Sequence, residues 1–342
     1  DQLLNEKEHS LMATSEQIFE DLLVLHAERD PAFIKGPPGI GKSDLVGGLA
    51  KHLDINLIDC RTALRDPTDI KGFPMPDAKN SVMKYLRDSE LPRNGKGILF
   101  FDEMTSGSQA VQAACMQLCL PPYAIGDYKL PEGWWIVGGG NREGDRGVTH
   151  RMPAPLANRF THFDMECEPS AWVNWALNNN VAAEDIAFIR FRQDLLFTFD
   201  PKSADQAFGT PRSWVKAFRQ AKKAKNEASA YRLVAGTVGN GGATEYFAFL
   251  NTIKELPSLD DIKLHPDTTP VPEKPAVMHA VTTMLAMNTT TDAGFARFMA
   301  YVSRMQKEFQ VVYVKDSMKK VESIKRTKDF TKWVMDNESV LT

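Results

Sequence analysis

The segment Gly36-Pro-Pro-Gly-Ile-Gly-Lys-Ser43 matches the phosphate-binding pattern G-x-x-x-x-G-K-[ST] at every position. Glycines let backbone N–H groups approach a phosphate closely, and the N-terminus of a following helix adds a favourable dipole. We expect Lys42 to bridge the β- and γ-phosphates of a nucleotide and the Ser43 hydroxyl to ligate Mg²⁺. The residues predicted to contact the nucleotide are Gly36, Pro37, Pro38, Gly39, Ile40, Gly41, Lys42, Ser43 and Asp44.

Two acidic residues end an apolar stretch 60 residues after Lys42, in Ile98-Leu-Phe-Phe-Asp102-Glu103. An apolar strand of this kind places its terminal carboxylates at the carboxyl edge of a sheet, where open α/β folds bind ligands. We expect Asp102 to hold the Mg²⁺ shell and Glu103 to polarise an attacking water molecule. The alternative is a buried strand that ends in two solvated acids.

Strands and helices alternate along the first half of the chain. Apolar runs predict strands at residues 31–35, 55–59, 97–102, 134–137 and 160–164, and helical patterns cover residues 10–29, 44–52 and 108–120. This alternation predicts right-handed βαβ units and a doubly wound parallel sheet, an α/β fold.

The second half of the chain is predicted to be helical. Helical patterns cover residues 171–180, 183–196, 211–224 and 228–238, followed by a break at 240–243 and a proline-punctuated loop at 257–275. We therefore predict an α/β nucleotide-binding domain at residues 1–168, a helical lid at 169–240 and a helical C-terminal extension at 241–342.

Composition narrows the class of protein. The chain has 342 residues, of which 43% are hydrophobic and 25% charged, and its net charge is -3. This near balance disfavours a protein held to nucleic acid mainly by bulk charge. Four scattered cysteines do not make a disulfide scaffold, and no apolar run is long enough to span a membrane. The composition therefore favours a reduced, cytoplasmic globular protein.

The order of the phosphate loop, the Asp-Glu strand and Gly138-Gly-Gly-Asn141 resembles the AAA+ ATPases. The resemblance implies that Asn141 is the first sensor, which helps to orient the lytic water. It also implies that Arg159, in Leu156-Ala-Asn-Arg159, reaches the nucleotide of the neighbouring subunit, and that Arg212, in Thr210-Pro-Arg212, is the second sensor. Each residue also has an interpretation without a role in hydrolysis. Asn141 would be an ordinary loop residue, Arg159 part of a surface salt bridge and Arg212 a residue at the start of a helix. The remaining candidates for the trans-acting arginine are Arg142, Arg146 and Arg151.

Two further segments are similar to MoxR-type AAA+ proteins, and the tail from residue 216 is similar to MoxR-like ATPases encoded in phages and prophages. Residues 65–86 resemble the insert in helix 2 of that group, and residues 123–130 form a predicted hairpin before the first-sensor strand. Arg142 replaces the proline that often follows the sensor asparagine, and Thr210 replaces a serine. Phe73, Tyr123 and Tyr128 are interpreted as packing within the insert or hairpin; the alternative is that they line the pore and grip a polypeptide.

The resemblance implies a Mg²⁺-dependent ATPase that assembles as a homo-oligomeric ring, expected to be a hexamer, and remodels a protein client. MoxR proteins often act with a separate partner that carries a von Willebrand factor A domain. One alternative is a nucleic-acid motor or loader of the same clade, and another is a nucleotide-gated scaffold. The insert and hairpin carry five basic and four acidic residues, which gives the nucleic-acid alternative little support. Basic stretches at residues 212–232 and 315–332 are interpreted as solvated helix faces. For residues 212–232 the alternative is a site for a nucleic acid or an acidic partner.

Overall fold

The computed structural model describes residues 12–87, 90–142, 144–145 and 150–337. The chain divides into two compact units. The first contains Asp1–Ala171 and Asp200–Ser203, and the second contains Trp172–Phe199 and Ala204–Thr342. The three-part division with boundaries at residues 168 and 240 stays a prediction.

A six-stranded parallel sheet forms the centre of the first unit. In spatial order its strands are β1 (Met12–Ala13), β10 (Thr161–Met165), β2 (Ala32–Lys35), β9 (Trp134–Gly140), β6 (Gly97–Asp102) and β3 (Asn56–Arg61). Strands β6 and β9 are buried along their whole length, as expected for central strands covered on both faces. All five predicted strands are present, so the predicted α/β fold with a parallel sheet is confirmed.

Helices and two hairpins complete the first unit. The helices are α1 (Ser15–Glu28), α2 (Lys42–His52), α3 (Pro67–Lys71), α4 (Gln109–Leu118) and α5 (Ala154–Ala157). One hairpin pairs β4 (Phe73–Asp77) with β5 (Val82–Leu86), and the other pairs β7 (Ala124–Ile125) with β8 (Tyr128–Lys129). The second hairpin is the one predicted at residues 123–130, and Gly126 takes a positive φ in its turn.

The predicted helix at residues 10–29 is wrong at its start, where the structure has strand β1 instead. Helix α1 begins only at Ser15 because Thr14 caps it: the Thr14 hydroxyl accepts from the Gln17 N–H at 3.3 Å, and the Gln17 side chain accepts from the Thr14 N–H at 3.0 Å. The part of the prediction on residues 10 and 11 lies outside the described residues.

Helices account for most of the second unit. They are α6 (Pro169–Asn178, which begins in the first unit), α7 (Ala183–Phe191), α8 (Pro211–Lys223), α9 (Glu227–Val238), α10 (Asn240–Thr252), α11 (Leu259–Leu264), α12 (Pro275–Asn288), α13 (Asp292–Val302), α14 (Lys307–Lys320) and α15 (Lys328–Asp336). Helix α11 lies within the proline-punctuated segment that was predicted to be a loop.

The predicted break at residues 240–243 is also wrong, because α10 begins at Asn240. The chain turns one residue earlier, at Gly239, where φ is 89°. Gly242 has a packing role inside the helix, since a Cβ there would lie 3.2 Å from the Trp214 ring. Gly242 therefore permits close packing rather than ending the helix.

All four cysteines belong to the first unit and are free thiols. Cys60, Cys115 and Cys119 are buried in its core, and Cys167 is partly buried. Burial raises the pKa of Cys115 well above its usual value and raises the pKa of Cys119 to about 12. Across the described ranges, no helix combines the length and apolar character needed to cross a bilayer.

Candidate active site

The phosphate-binding pattern lies between β2 and α2, where the chain turns from the centre of the sheet into a helix. Gly39 and Gly41 have φ values of 79° and 104°, which favour glycine because a Cβ is strained there. Gly36 is required for a different reason: a Cβ on it would lie 2.5 Å from Ile40 Cδ1 and 3.0 Å from the Met165 carbonyl oxygen. The glycine spacing of the motif thus follows from the backbone of this loop.

Lys42 is the first residue of α2, and its side chain is almost fully buried within the first unit. Its Nζ donates to the carbonyl oxygens of Gly36 at 2.5 Å and Pro37 at 3.1 Å, and to Asn141 Oδ1 at 3.2 Å. A buried ammonium needs oxygen partners, and phosphate oxygens are of the same chemical kind. The lysine is therefore held over its own loop in a position from which it can transfer its hydrogen bonds to a phosphate.

Ser43 and Asp102 lie next to each other, as residues that share a metal ion must. The Ser43 hydroxyl donates to Asp102 Oδ2 at 2.7 Å, and Asp102 Oδ1 accepts from the Glu103 N–H at 2.8 Å. Behind them, the buried Thr62 hydroxyl donates to the Asp102 carbonyl oxygen at 3.0 Å. Hydroxyl and carboxylate oxygens suit Mg²⁺, which binds one or two protein carboxylates and completes its shell with water and phosphate. The donor set at these two residues fits the expected ion.

Glu103 follows Asp102 in a left-handed backbone conformation, with a φ of 54°. Its carbonyl oxygen accepts from the N–H groups of Ser106 and Gly107, which closes a tight turn after β6. The side chain is exposed. A non-glycine residue with positive φ is uncommon, and such residues concentrate at functional sites.

Asn141 comes directly after β9 and meets the phosphate loop through Lys42. Its N–H donates to the Thr105 hydroxyl at 3.1 Å, so the turn after β6 also supports it. The three glycines before it lie where side chains cannot fit. A Cβ on Gly138, Gly139 or Gly140 would lie 2.5 Å from the Phe33 ring, 2.8 Å from the Phe100 ring or 2.7 Å from Thr105 Oγ1, respectively. The glycines let β9 pass between the aromatic side chains of its two neighbouring strands.

The candidate arginines differ in their surroundings. Arg142 is paired with Asp164, and Arg159 is partly buried and donates to the Met116 carbonyl oxygen at 2.6 Å. Arg151 is exposed, and Arg146 lies outside the described residues.

Arg212 is an exposed residue of the second unit, near the start of α8. The helix is capped as expected, because the Thr210 hydroxyl accepts from the Ser213 N–H at 3.0 Å and Pro211 occupies the first turn. A contact between Arg212 and the nucleotide stays a prediction.

Of the two interpretations of the three aromatic residues, packing within the hairpin is correct for Tyr128. Its ring is 2% exposed, and its hydroxyl donates to the Pro92 carbonyl oxygen at 2.8 Å. Tyr123 lies beneath the Arg29 guanidinium, whose carbon is 4.5 Å from the ring centroid. Of the three residues, only Phe73 is widely exposed, at 60%. The packing interpretation therefore describes Tyr128 correctly.

Sequence reasoning missed two threonines that support the site, Thr62 and Thr105. Thr62 follows β3, and the register pairs Arg61 with Asp102, so strand order would have placed Thr62 beside the acidic pair. Thr105 offers no comparable signal, because its contact with Asn141 depends on the turn that follows β6.

No model of a known protein family matches the chain, and no curated protein does so. Among solved structures, the chain is similar to an inferred ATPase from Cytophaga hutchinsonii, with 14% identity, a TM-score of 0.37 and coverage of 91% of this chain and 84% of that one.

Two other solved structures show a similar degree of likeness. The RuvB Holliday junction branch migration motor of Thermotoga maritima has 17% identity, a TM-score of 0.38 and coverage of 73% of this chain and 73% of that one. NtrX from Brucella abortus in complex with ADP has 14% identity, a TM-score of 0.40 and coverage of 89% and 67%, respectively.

Proposed function

We propose that the chain is a Mg²⁺-dependent ATPase of the AAA+ class and that Lys42, Ser43, Asp102, Glu103 and Asn141 form its hydrolytic site. The observation that carries the proposal is a linked set of hydrogen bonds. Lys42 joins the phosphate loop to Asn141, and Ser43 joins it to Asp102, although these residues are 99 and 59 positions apart in the chain. Phosphate binding, metal binding and water orientation thus involve side chains at one edge of the sheet.

In the proposed reaction, the chain's residues position groups rather than form covalent bonds. Backbone N–H groups of the loop and the Lys42 ammonium bind the phosphates, while Ser43 and Asp102 would hold Mg²⁺, which neutralises charge on the transferred phosphoryl group. The Glu103 carboxylate accepts hydrogen bonds from the attacking water, and the Asn141 amide orients the same water for in-line attack. Asp102 would hold the metal ion, and the bond from the Glu103 N–H to its Oδ1 orients the carboxylate.

A variant series tests the site directly. Lys42→Ala should lose nucleotide binding, whereas Lys51→Ala, which removes an exposed lysine of the same helix, should bind normally. Glu103→Gln should bind ATP but turn it over roughly 10²- to 10⁴-fold more slowly, the range for loss of a general base. Binding is measured with a fluorescent ATP analogue and turnover by phosphate release. Unchanged ATP affinity in Lys42→Ala would refute the assignment of the loop.

We further propose the MoxR type, a hexameric ring and a protein client served with a von Willebrand factor A partner. The hairpin of β4 and β5 supports a protein client, because its large apolar side chains are exposed and such surfaces mark protein contacts. They are Phe73, Met75, Val82, Met83 and Leu86, which are between 42% and 62% exposed. A pull-down with Glu103→Gln in ATP, read by mass spectrometry, identifies the client and any partner. Stimulation of hydrolysis by DNA but not by protein would contradict the proposed client class.

Arg159 is our candidate for the arginine that acts on the neighbouring subunit's nucleotide. A guanidinium has five N–H donors, so the bond to Met116 leaves others for a phosphoryl group. Arg159→Ala should bind ATP and fail to hydrolyse it, and mixing it with Lys42→Ala should restore part of the activity if the two residues act on the same nucleotide from different subunits. Normal hydrolysis by Arg159→Ala alone would move the role to another arginine.

A further inference from the structure

Arg142 directly follows the sensor asparagine, and it is anchored at three points. Its Nε donates to Asp164 Oδ1 at 2.5 Å, and another guanidinium nitrogen donates to the Met165 carbonyl oxygen at 3.1 Å. Its backbone N–H donates to Asp145 Oδ2 at 2.8 Å. The residue after Asn141 is thus fixed by both its side chain and its main chain.

The side-chain anchor crosses the strand that leads into the phosphate loop. Arg142 follows β9, Asp164 and Met165 end β10, and β2 lies between these two strands in the sheet. The Arg142 side chain therefore spans the carboxyl end of β2, where the loop begins at Gly36. Gly36 borders both sides of this span: its N–H donates to the Gly140 carbonyl oxygen at 3.2 Å, and a Cβ on it would lie 3.0 Å from the Met165 carbonyl oxygen.

The same contacts form a continuous ring of neighbouring residues around the start of the loop. Arg142 binds Met165, Met165 borders Gly36, and the Gly36 carbonyl oxygen accepts from Lys42. Lys42 in turn donates to Asn141, which is joined to Arg142 by a peptide bond. Two supports therefore set the position of Asn141. The Thr105 hydroxyl accepts from its N–H, and the next residue, Arg142, is itself anchored.

We propose that Arg142 is a positioning residue for Asn141, which it holds beside Lys42 by bridging the ends of β9 and β10. The proposal rests on the ATPase function argued above and adds a residue to it. The Arg142 and Asp164 side chains are 31% and 29% exposed, and partly exposed ion pairs of this kind contribute little to overall stability. Loss of the anchor should therefore appear in turnover much more than in unfolding.

The first experiment compares Arg142→Ala, Arg142→Lys and Asp164→Asn with the unaltered chain and with Arg93→Ala, which removes an exposed arginine of the same unit. We expect Arg142→Ala to lower kcat about tenfold or more, while KM, nucleotide affinity and the urea midpoint of unfolding change little. Arg142→Lys keeps one cationic donor and should recover part of the loss. A fall in nucleotide affinity or in the urea midpoint that matches the fall in kcat would overturn the proposal, because it would indicate a general structural role.

A double variant tests whether Arg142 acts through Asn141. If it does, adding Arg142→Ala to Asn141→Ala should leave kcat at the value of Asn141→Ala alone. If the two losses multiply, Arg142 acts independently and the proposal is refuted.

Comparison with Lys42→Ala separates this inference from the proposed function. When hydrolysis depends on Lys42 but Arg142→Ala retains the full rate, the positioning role fails and the ATPase stands. When hydrolysis by the unaltered chain does not depend on Lys42, both fail.

Discussion

The backbone at Glu103 predicts that stability and turnover can be separated at a single position. A residue with a side chain in the left-handed region, here with a φ of 54°, costs roughly 1–2 kcal/mol relative to its usual conformation. Glycine removes that cost, but its greater freedom in the unfolded chain opposes folding by about 0.4–1 kcal/mol. Alanine keeps the cost. We therefore expect Glu103→Gly to be more stable than Glu103→Ala by about 1 kcal/mol.

Urea unfolding followed by tryptophan fluorescence measures this difference, because Trp134 and Trp135 are buried in the same unit. With a slope of about 2 kcal/mol per molar urea, the midpoint of Glu103→Gly should lie about 0.5 M above that of Glu103→Ala. Both variants lack the carboxylate and should hydrolyse ATP at the low rate of Glu103→Gln. Nucleotide affinity should be kept, since Lys42 and Ser43 are unchanged.

The unfolding midpoints and hydrolysis rates of the three variants test the roles of the backbone and of the carboxylate separately. Glu103→Gln retains the left-handed cost and should be no more stable than the unaltered chain. Equal stability of Glu103→Gly and Glu103→Ala would refute the argument that the turn after β6 stores strain. Normal turnover by Glu103→Gln would place the catalytic base elsewhere and leave the strain without a functional reason.

Two further predictions concern packing and pH. Gly140→Ala should destabilise the first unit by about 1–3 kcal/mol and slow hydrolysis, because the new Cβ would lie 2.7 Å from the Thr105 hydroxyl that supports Asn141. Urea unfolding measures the loss of stability, with Gly241→Ala, at a helical site with open space, as the control. Equal effects of the two substitutions would contradict the packing argument. Burial, assisted by the charge of Arg190, lowers the pKa of His279 to about 4. The unfolded chain, with a pKa near 6.5, therefore binds the proton more tightly, so stability should fall by about 2 kcal/mol from pH 7.5 to pH 5. His279→Phe should remove this part of the pH dependence, and an unchanged pH profile in that variant would show that other groups cause it.

Local features of the site were predictable from the sequence, and features that depend on side-chain contacts between distant segments were not. The phosphate loop is encoded within eight residues, and the apolar runs at residues 97–102 and 134–137 predict strands whose carboxyl ends carry Asp102 and precede Asn141. Lys42, Asp102 and Asn141 could be assigned to one edge of the sheet for that reason. The bond from Arg142 to Asp164 could not, because it depends on β10 lying on the far side of β2 and on the reach of one side chain.

The errors have equally specific causes. The apolar pattern of residues 10–29 continued through the capping box at Thr14, so the helix was extended into β1. Gly242 was interpreted as a helix breaker, whereas the Trp214 ring occupies the space that a side chain would need.

The distribution of cysteines makes opening of the first unit observable separately from the second. All four thiols are in the first unit, and the second unit has none. Alkylating reagents attack thiolates, and the raised pKa values and burial of Cys115 and Cys119 protect these groups until the core around α4 opens. The rate at which they are modified therefore records opening of the first unit alone, even while the second unit unfolds or refolds. Added nucleotide should slow that rate in proportion to its occupancy, so modification of the chain's own cysteines measures ligand binding.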